Sequence, residues 1–179
     1  KVINKEDSAN TISLFDGSIL SNCKATDFAG KGEISIDENG SLFLEMGAEL
    51  SGIHWAGNPL PKQDYEISLQ AKRTMGSDFF CGLTFPYKES HATLILGGWG
   101  GSLSGISSID DFDASENETG DAFIFEDNQW YDIRLRVTGS EFTVWIDNEE
   151  VIDCEVEGRG VGMRIGEIEM SVPLGLCTF

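Results

Sequence analysis

Cations are what this chain has least of. Its 179 residues include 12 Lys and Arg against 31 Asp and Glu, a formal charge of −19. A nucleic-acid partner needs a basic stripe that displaces phosphate counterions, and an anionic membrane surface needs basic clusters. The few Lys and Arg are scattered, which excludes both partners. Long apolar runs are missing as well: stretches such as Leu94 to Leu96 fall far short of the roughly 20 residues of a membrane span. Histidine is limited to His54 and His91. The four cysteines, Cys23, Cys81, Cys154 and Cys177, are spaced 58, 73 and 23 residues apart and match no zinc pattern. They allow three pairings, of which Cys23 with Cys177 would tie the two ends together. Cys81, inside Phe79-Phe80-Cys81-Gly82-Leu83, reads as a small core residue.

What is present is enough apolar material, at 40% of residues, for one sizeable core, so a single soluble domain over residues 1–179 is expected. The first residue is Lys1 rather than Met, which suggests that a leader or some other preceding stretch has been removed. No window of ten or more residues carries a 3.6-residue apolar period, whereas period-two stretches recur between turn residues. Tyr65, Ile67, Leu69 and Ala71 alternate with Glu66, Ser68, Gln70 and Lys72; Tyr131, Ile133, Leu135 and Val137 alternate with Asp132, Arg134, Arg136 and Thr138. Phe142, Val144 and Ile146 continue the pattern. Further strands are expected near 34–37, 41–46, 78–85, 91–97, 122–125, 151–156 and the C-terminus. Short antiparallel strands hide their apolar faces by stacking two sheets, so the expected fold is all-β, a jelly-roll sandwich of two antiparallel sheets.

Turn chemistry sharpens one region. Gly139-Ser140 and Asp147-Asn148 both suit two-residue hairpins, which predicts Arg134 opposite Trp145, Trp145 opposite Glu150 and Val144 opposite Val151. An indole between a guanidinium and a carboxylate could stack on a sugar, making Trp145 and Arg134 a candidate glycan surface. The simpler reading is a cross-strand charge row in which Arg134 covers the Trp145 ring.

The stretch from Glu89 to Ile133 contains no Lys or Arg at all. It holds Leu96-Gly97-Gly98-Trp99-Gly100-Gly101, where glycines permit sharp turns and Trp99 is either displayed at a loop tip or folded inward. Asp110, Asp111, Asp113 and Glu116 follow. Crowded carboxyls can supply an acid beside a base, the pair that glycoside hydrolysis needs, so Asp110, Asp113 and Glu116 are the candidate catalytic residues. No cofactor follows from the pattern; Ca²⁺ is the one ion the acidic loop invites. Asp111-Phe112-Asp113-Ala114-Ser115 starts like a calcium loop, but Glu116 stands where the turn glycine belongs and Ala122 where the bidentate Glu belongs. His54 and Trp55, beside the Asn58-Pro59-Leu60-Pro61 loop, are candidate sugar contacts with Trp99. Asn117-Glu118-Thr119 is a formal glycosylation sequon.

The segment Gln129-Trp130-Tyr131-Asp132-Ile133-Arg134-Leu135-Arg136-Val137, followed by Thr143-Val144-Trp145-Ile146-Asp147-Asn148, resembles the closing strands of concanavalin A-like and laminin G-like sandwiches. Leu14-Phe15-Asp16-Gly17 resembles the opening motif of bacterial 3-keto-disaccharide hydrolases. Asp78-Phe79-Phe80-Cys81-Gly82-Leu83-Thr84-Phe85-Pro86, Gly97-Gly98-Trp99-Gly100-Gly101 and Asp113-Ala114-Ser115-Glu116-Asn117 are similar to segments of the planctomycete-type members. The resemblance implies an extracytoplasmic jelly roll whose partner is a saccharide, held on one sheet or its rim loops. It implies either a sugar hydrolase or a non-catalytic lectin-like module; a structural or protein-interaction sandwich is the third reading. Asp78-Phe79-Phe80-Cys81-Gly82 stands in place of the Asn-Ser-Gly-type strand of hydrolase members, so no catalytic residue is carried over from the family.

Overall fold

The computed structural model describes residues 11–18 and 20–179. In chain order the strands are β1 (Cys23–Ala25), β2 (Ile34–Ile36), β3 (Leu42–Leu44), β4 (Ser51–Trp55), β5 (Tyr65–Ala71), β6 (Cys81–Tyr87) and β7 (Ser90–Gly98). They continue with β8 (Leu103–Ser107), β9 (Asp121–Ala122), β10 (Tyr131–Val137), β11 (Glu141–Ile146), β12 (Glu149–Glu155) and β13 (Gly175–Thr178). A single 3₁₀ turn, Glu167–Ser171, is the one helical element among the described residues. All strand pairings are antiparallel. A large sheet has the order β1-β4-β13-β6-β7-β8-β9, a smaller one β12-β11-β10-β5, and β2-β3 form a separate ribbon.

The two main sheets stack because their period-two sequences put one apolar face on each. From the large sheet Leu83, Phe85, Leu94, Leu96 and Ile106 point inward; from the small one Ile133, Leu135, Val137, Phe142 and Val144 meet them, all at most 2% exposed. Burying each such side chain contributes roughly 1.5–3 kcal/mol. Phe142 anchors the layer, edge-on to Phe85 (5.2 Å) and to Tyr87 (4.9 Å).

The hairpins form as expected, with Arg134 opposite Trp145 and Trp145 opposite Glu150. Asp147 and Asn148 both take positive φ (50° and 68°), the conformation a two-residue hairpin turn demands. One register differs. A bulge between Val144 and Trp145 pairs Val144 with Ile152 instead of Val151. The strand expected at 122–125 shrinks to Asp121–Ala122, because Phe123 and Phe125 leave the ladder to pack on Tyr131 (6.2 and 5.0 Å). β2 and β3 fall within the strands expected at 34–37 and 41–46, whereas β1, β4 and β8 are additions. All four thiols are free, so Cys23 and Cys177 are not bridged; Cys81 is a core residue.

Alternation also defines the outer face of the large sheet. Strand register places Lys24, His54, Gly175, Thr84, Thr93 and Ser107 in one row across it. Small residues are required here because other segments lie on this face: a Cβ on Gly175 would stand 2.5 Å from the Ser171 carbonyl. Phe28, Leu50, Phe79 and Ile168 cover the Cys177 end. Beyond Phe79 and Ile168 the cover stops.

Candidate functional site

Where that cover stops, a groove of about 410 Å³ opens on the outer face. Thr93, Ile95 and Ser107, from β7 and β8, are among its lining residues and belong to the sheet itself. Asp113 lines it from the acidic loop, Asp78, Phe79 and Trp99 from the loops at the ends of β6 and β7, and Arg164, Ile165 and Glu167 from the segment before the last strand.

Trp99 is 40% exposed and sits at φ 50°, in the left-handed region, between glycines. Its loop is held from below. Gly100 N–H donates to Asp78 Oδ2 (3.2 Å), while Asp78 Oδ1 accepts from Phe79 N–H (2.8 Å). Arg73, fixed by Asp127 (2.6 Å) and by the Phe125 carbonyl (2.7 Å), lies under Gly101. Its Nη1 is buried and has no hydrogen-bond partner.

Asp113 is placed with equal definition. Asn117 Nδ2 donates to the carbonyls of Ile106 (2.8 Å), Phe112 (3.0 Å) and Asp113 (3.0 Å), which folds the acidic loop back onto β8. Thr119 Oγ1 accepts from Ile106 N–H (2.8 Å) and donates to Asn117 Oδ1 (2.6 Å). Buried Ala114 lies over Gly105, where a Cβ would meet it at 3.0 Å. Asp113 Oδ1 accepts from the Ser107 hydroxyl and from Ala114 N–H, and Oδ2 pairs with Arg164 Nη1 at 3.0 Å. The sequon asparagine is therefore a structural strut.

The other candidates lie elsewhere. Asp110 turns away at φ 52°, pairs with Arg159 (2.8 Å) and accepts from Gly160 N–H (2.8 Å). The Gly160 amide first, and then the Arg159 guanidinium, hold its carboxyl below the usual carboxylate range. Glu116 is exposed on the loop and does not line the groove. Trp55 is buried in the core, with its indole N–H donated to the Asn58 carbonyl (2.7 Å), so it offers no ring face to a ligand. His54 shares the outer face, but its Nδ1 is engaged by Thr26 Oγ1 (3.0 Å) outside the groove lining. The Trp145 ring is covered by Arg134 at 3.8 Å and flanked by Arg136 at 5.0 Å, both of which bond Glu66. The simpler reading of that row matches this geometry.

Sequence reasoning missed Asp78, Arg164 and the Thr93–Ser107 floor. Among the described residues no group of three His, Cys, Asp or Glu side chains converges to hold a metal ion, and Asp110 and Asp113 each face a guanidinium instead of a shared centre. A second depression, about 530 Å³, is lined by Glu118, Glu141, Asp153, Glu155, Glu157 and Arg159 and has no aromatic wall.

The fold and groove thus define a β-sandwich with an aromatic and ionic cleft on the outer face of its larger sheet. Residues 10–173 match the family of 3-keto-alpha-glucoside-1,2-lyase-like domains, and the chain belongs to that family. No curated protein sequence matches it. Among solved structures it is similar to carbohydrate-binding module CBM66 from Bacillus subtilis, with TM-score 0.55 and 12% identity over 88% of each chain. It is also similar to the Crh5 transglycosylase in complex with NAG, with TM-score 0.60 and 12% identity over 90% of this chain and 64% of that one. At such identity these likenesses establish the fold.

Proposed function

We propose that the groove engages a saccharide and that chemistry on a 3-keto-glycoside takes place beside Asp113. The observation that carries this reading is the meeting, in one groove, of an exposed indole and a carboxylate–guanidinium pair over a sheet floor whose own hydroxyls are paired within the protein. An indole stacks on the C–H face of a pyranose while oriented polar groups take its hydroxyls. Family membership supports the substrate class.

A ketone at C3 acidifies the proton on C2. A base that removes it lets the electron pair form a C1–C2 double bond as the C1 oxygen leaves with a proton. Water added across that bond would give the products of hydrolysis, so elimination and hydrolysis begin with the same step. Of the three expected carboxyls only Asp113 lines the groove, and Asp78, not Asp110 or Glu116, is the second acidic group near the aromatic wall. Arg164 is placed to stabilise negative charge developing on a keto oxygen. The non-catalytic alternative is favoured by one observation: both Asp113 oxygens already have donors. The extracytoplasmic location belongs to the same proposal and rests on the resemblance.

Calorimetry and product analysis on a panel of glycosides and 3-keto-glycosides test the reading. Trp99→Ala is expected to weaken binding at least about tenfold, and Asp113→Asn to abolish turnover with binding retained. Binding without turnover of any substrate would identify a lectin-like module. Failure of every saccharide to bind would overturn the proposal.

A further inference from the structure

We infer, resting on the saccharide reading, that the groove discriminates by charge: it takes neutral or aminated sugars and rejects those bearing a carboxylate or phosphate. Four acidic residues, Glu49, Asp78, Asp113 and Glu167, share the lining with one cation, Arg164. Arg164 is already committed to Asp113 at 3.0 Å. An incoming uronate carboxylate would have to share that single positive charge with Asp113, which the Ser107 hydroxyl and Ala114 N–H hold in place. No Lys or Arg among the described residues pairs with Glu49, Asp78 or Glu167. Their partners are backbone amides where they have any: Asp78 takes Phe79 and Gly100, and Glu167 takes Ala29 (3.2 Å). An amide orients a carboxylate without cancelling its charge.

The groove therefore presents three uncompensated negative charges against a low-dielectric wall of Phe79, Ile95, Trp99 and Ile168. In such a recess like charges repel more strongly than across open water. The rest of the molecule adds to the same field, since the whole chain carries −19. A hydroxyl or ammonium at the same position is instead a donor that these carboxylates accept.

The test compares methyl glucoside, methyl glucosaminide and methyl glucuronide, together with the corresponding galactoside, galactosaminide and galacturonide, by calorimetry on the full chain at low and at high salt. The glucuronide is expected to bind roughly tenfold or more weakly than the neutral glycoside at low ionic strength, with the gap narrowing as salt screens it. In the double variant Glu49→Gln, Glu167→Gln the ratio of glucuronide to glucoside affinity should rise several-fold. A glucuronide that binds as tightly as the glucoside overturns the inference and leaves the saccharide reading intact. So does a gap that neither salt nor the double variant moves. If none of the sugars binds, the saccharide reading falls, and this inference with it.

Discussion

Replacing Gly101 by Ala, with Gly100→Ala as its control, isolates how the Trp99 loop is held. Both glycines have positive φ, 83° at Gly100 and 101° at Gly101. An L side chain in that region costs roughly 1–2 kcal/mol, offset by about 0.4–1 kcal/mol from the less flexible unfolded chain. For Gly100 this is the whole effect, because a Cβ there meets nothing within 4 Å. At Gly101 the new methyl would stand 3.1 Å from the Ser77 carbonyl and 3.3 Å from Arg73 Nη1. Neither neighbour yields cheaply: one is backbone, and the other is pinned by Asp127 and Phe125. Overpacking of this kind adds about 1–3 kcal/mol. Thermal denaturation should show a loss of roughly 2–4 °C for Gly100→Ala and about twice that or more for Gly101→Ala. The loop can relieve the clash only by lifting from Arg73, which moves Trp99 relative to Asp113. Calorimetric sugar affinity should therefore fall at least about fivefold more in Gly101→Ala than in Gly100→Ala. Equal binding by the two variants would refute the idea that Arg73 braces the aromatic wall.

Two further outcomes follow from the geometry. Trp145→Ala should leave sugar affinity unchanged and lower stability by about 1 kcal/mol, the worth of the guanidinium contacts over its ring, measured by urea unfolding; a loss of binding would restore that row as a sugar surface. Burial pushes the Cys81 and Cys177 thiols up to about 12, from an ordinary value near 9. Between those values the unfolded chain releases protons that the folded chain keeps, so stability is intact below pH 9 and falls as pH climbs toward 12. Urea midpoints should hold up to roughly pH 9 and drop from there toward pH 12, and a thiol reagent should label Cys23, only half-buried, before either of them. A flat midpoint over that interval would refute the linkage.

Strands with one wet face were the plainest in the sequence, although β6 and β7, covered on both faces, were expected too, near 78–85 and 91–97. β5 and β10 alternate because their polar residues reach water, and the meander's register was readable from two hairpin turns. β4 and β8 were not legible: Ser51-Gly52-Ile53-His54-Trp55 and Leu103-Ser104-Gly105-Ile106-Ser107 are covered on both faces, so no alternation survives and small residues read as loop. The bulge at Val144 leaves no mark in residue type. The absence of Lys and Arg led to Trp99 and Asp113, yet it could not separate Asp113 from Asp110. Three positions apart, they point to different guanidiniums, Arg164 and Arg159, because Asp110 and Asp111 both take left-handed φ. Thr93, Ser107 and Arg164 come together only through long-range pairing. Periodicity carries no trace of that.

The Asn117 side-chain nitrogen is the atom that glycosyl transfer to the sequon would consume, and in the folded chain it already donates to three carbonyls. A glycan added there as the chain emerges into a secretory compartment would replace one of the two N–H donors and set a sugar against those carbonyls before β8 has its neighbour. Ala114 could not then settle over Gly105, and Asp113 would lose its place in the groove that Trp99 also lines. The choice of host cell thus decides whether the groove is built with both of its walls.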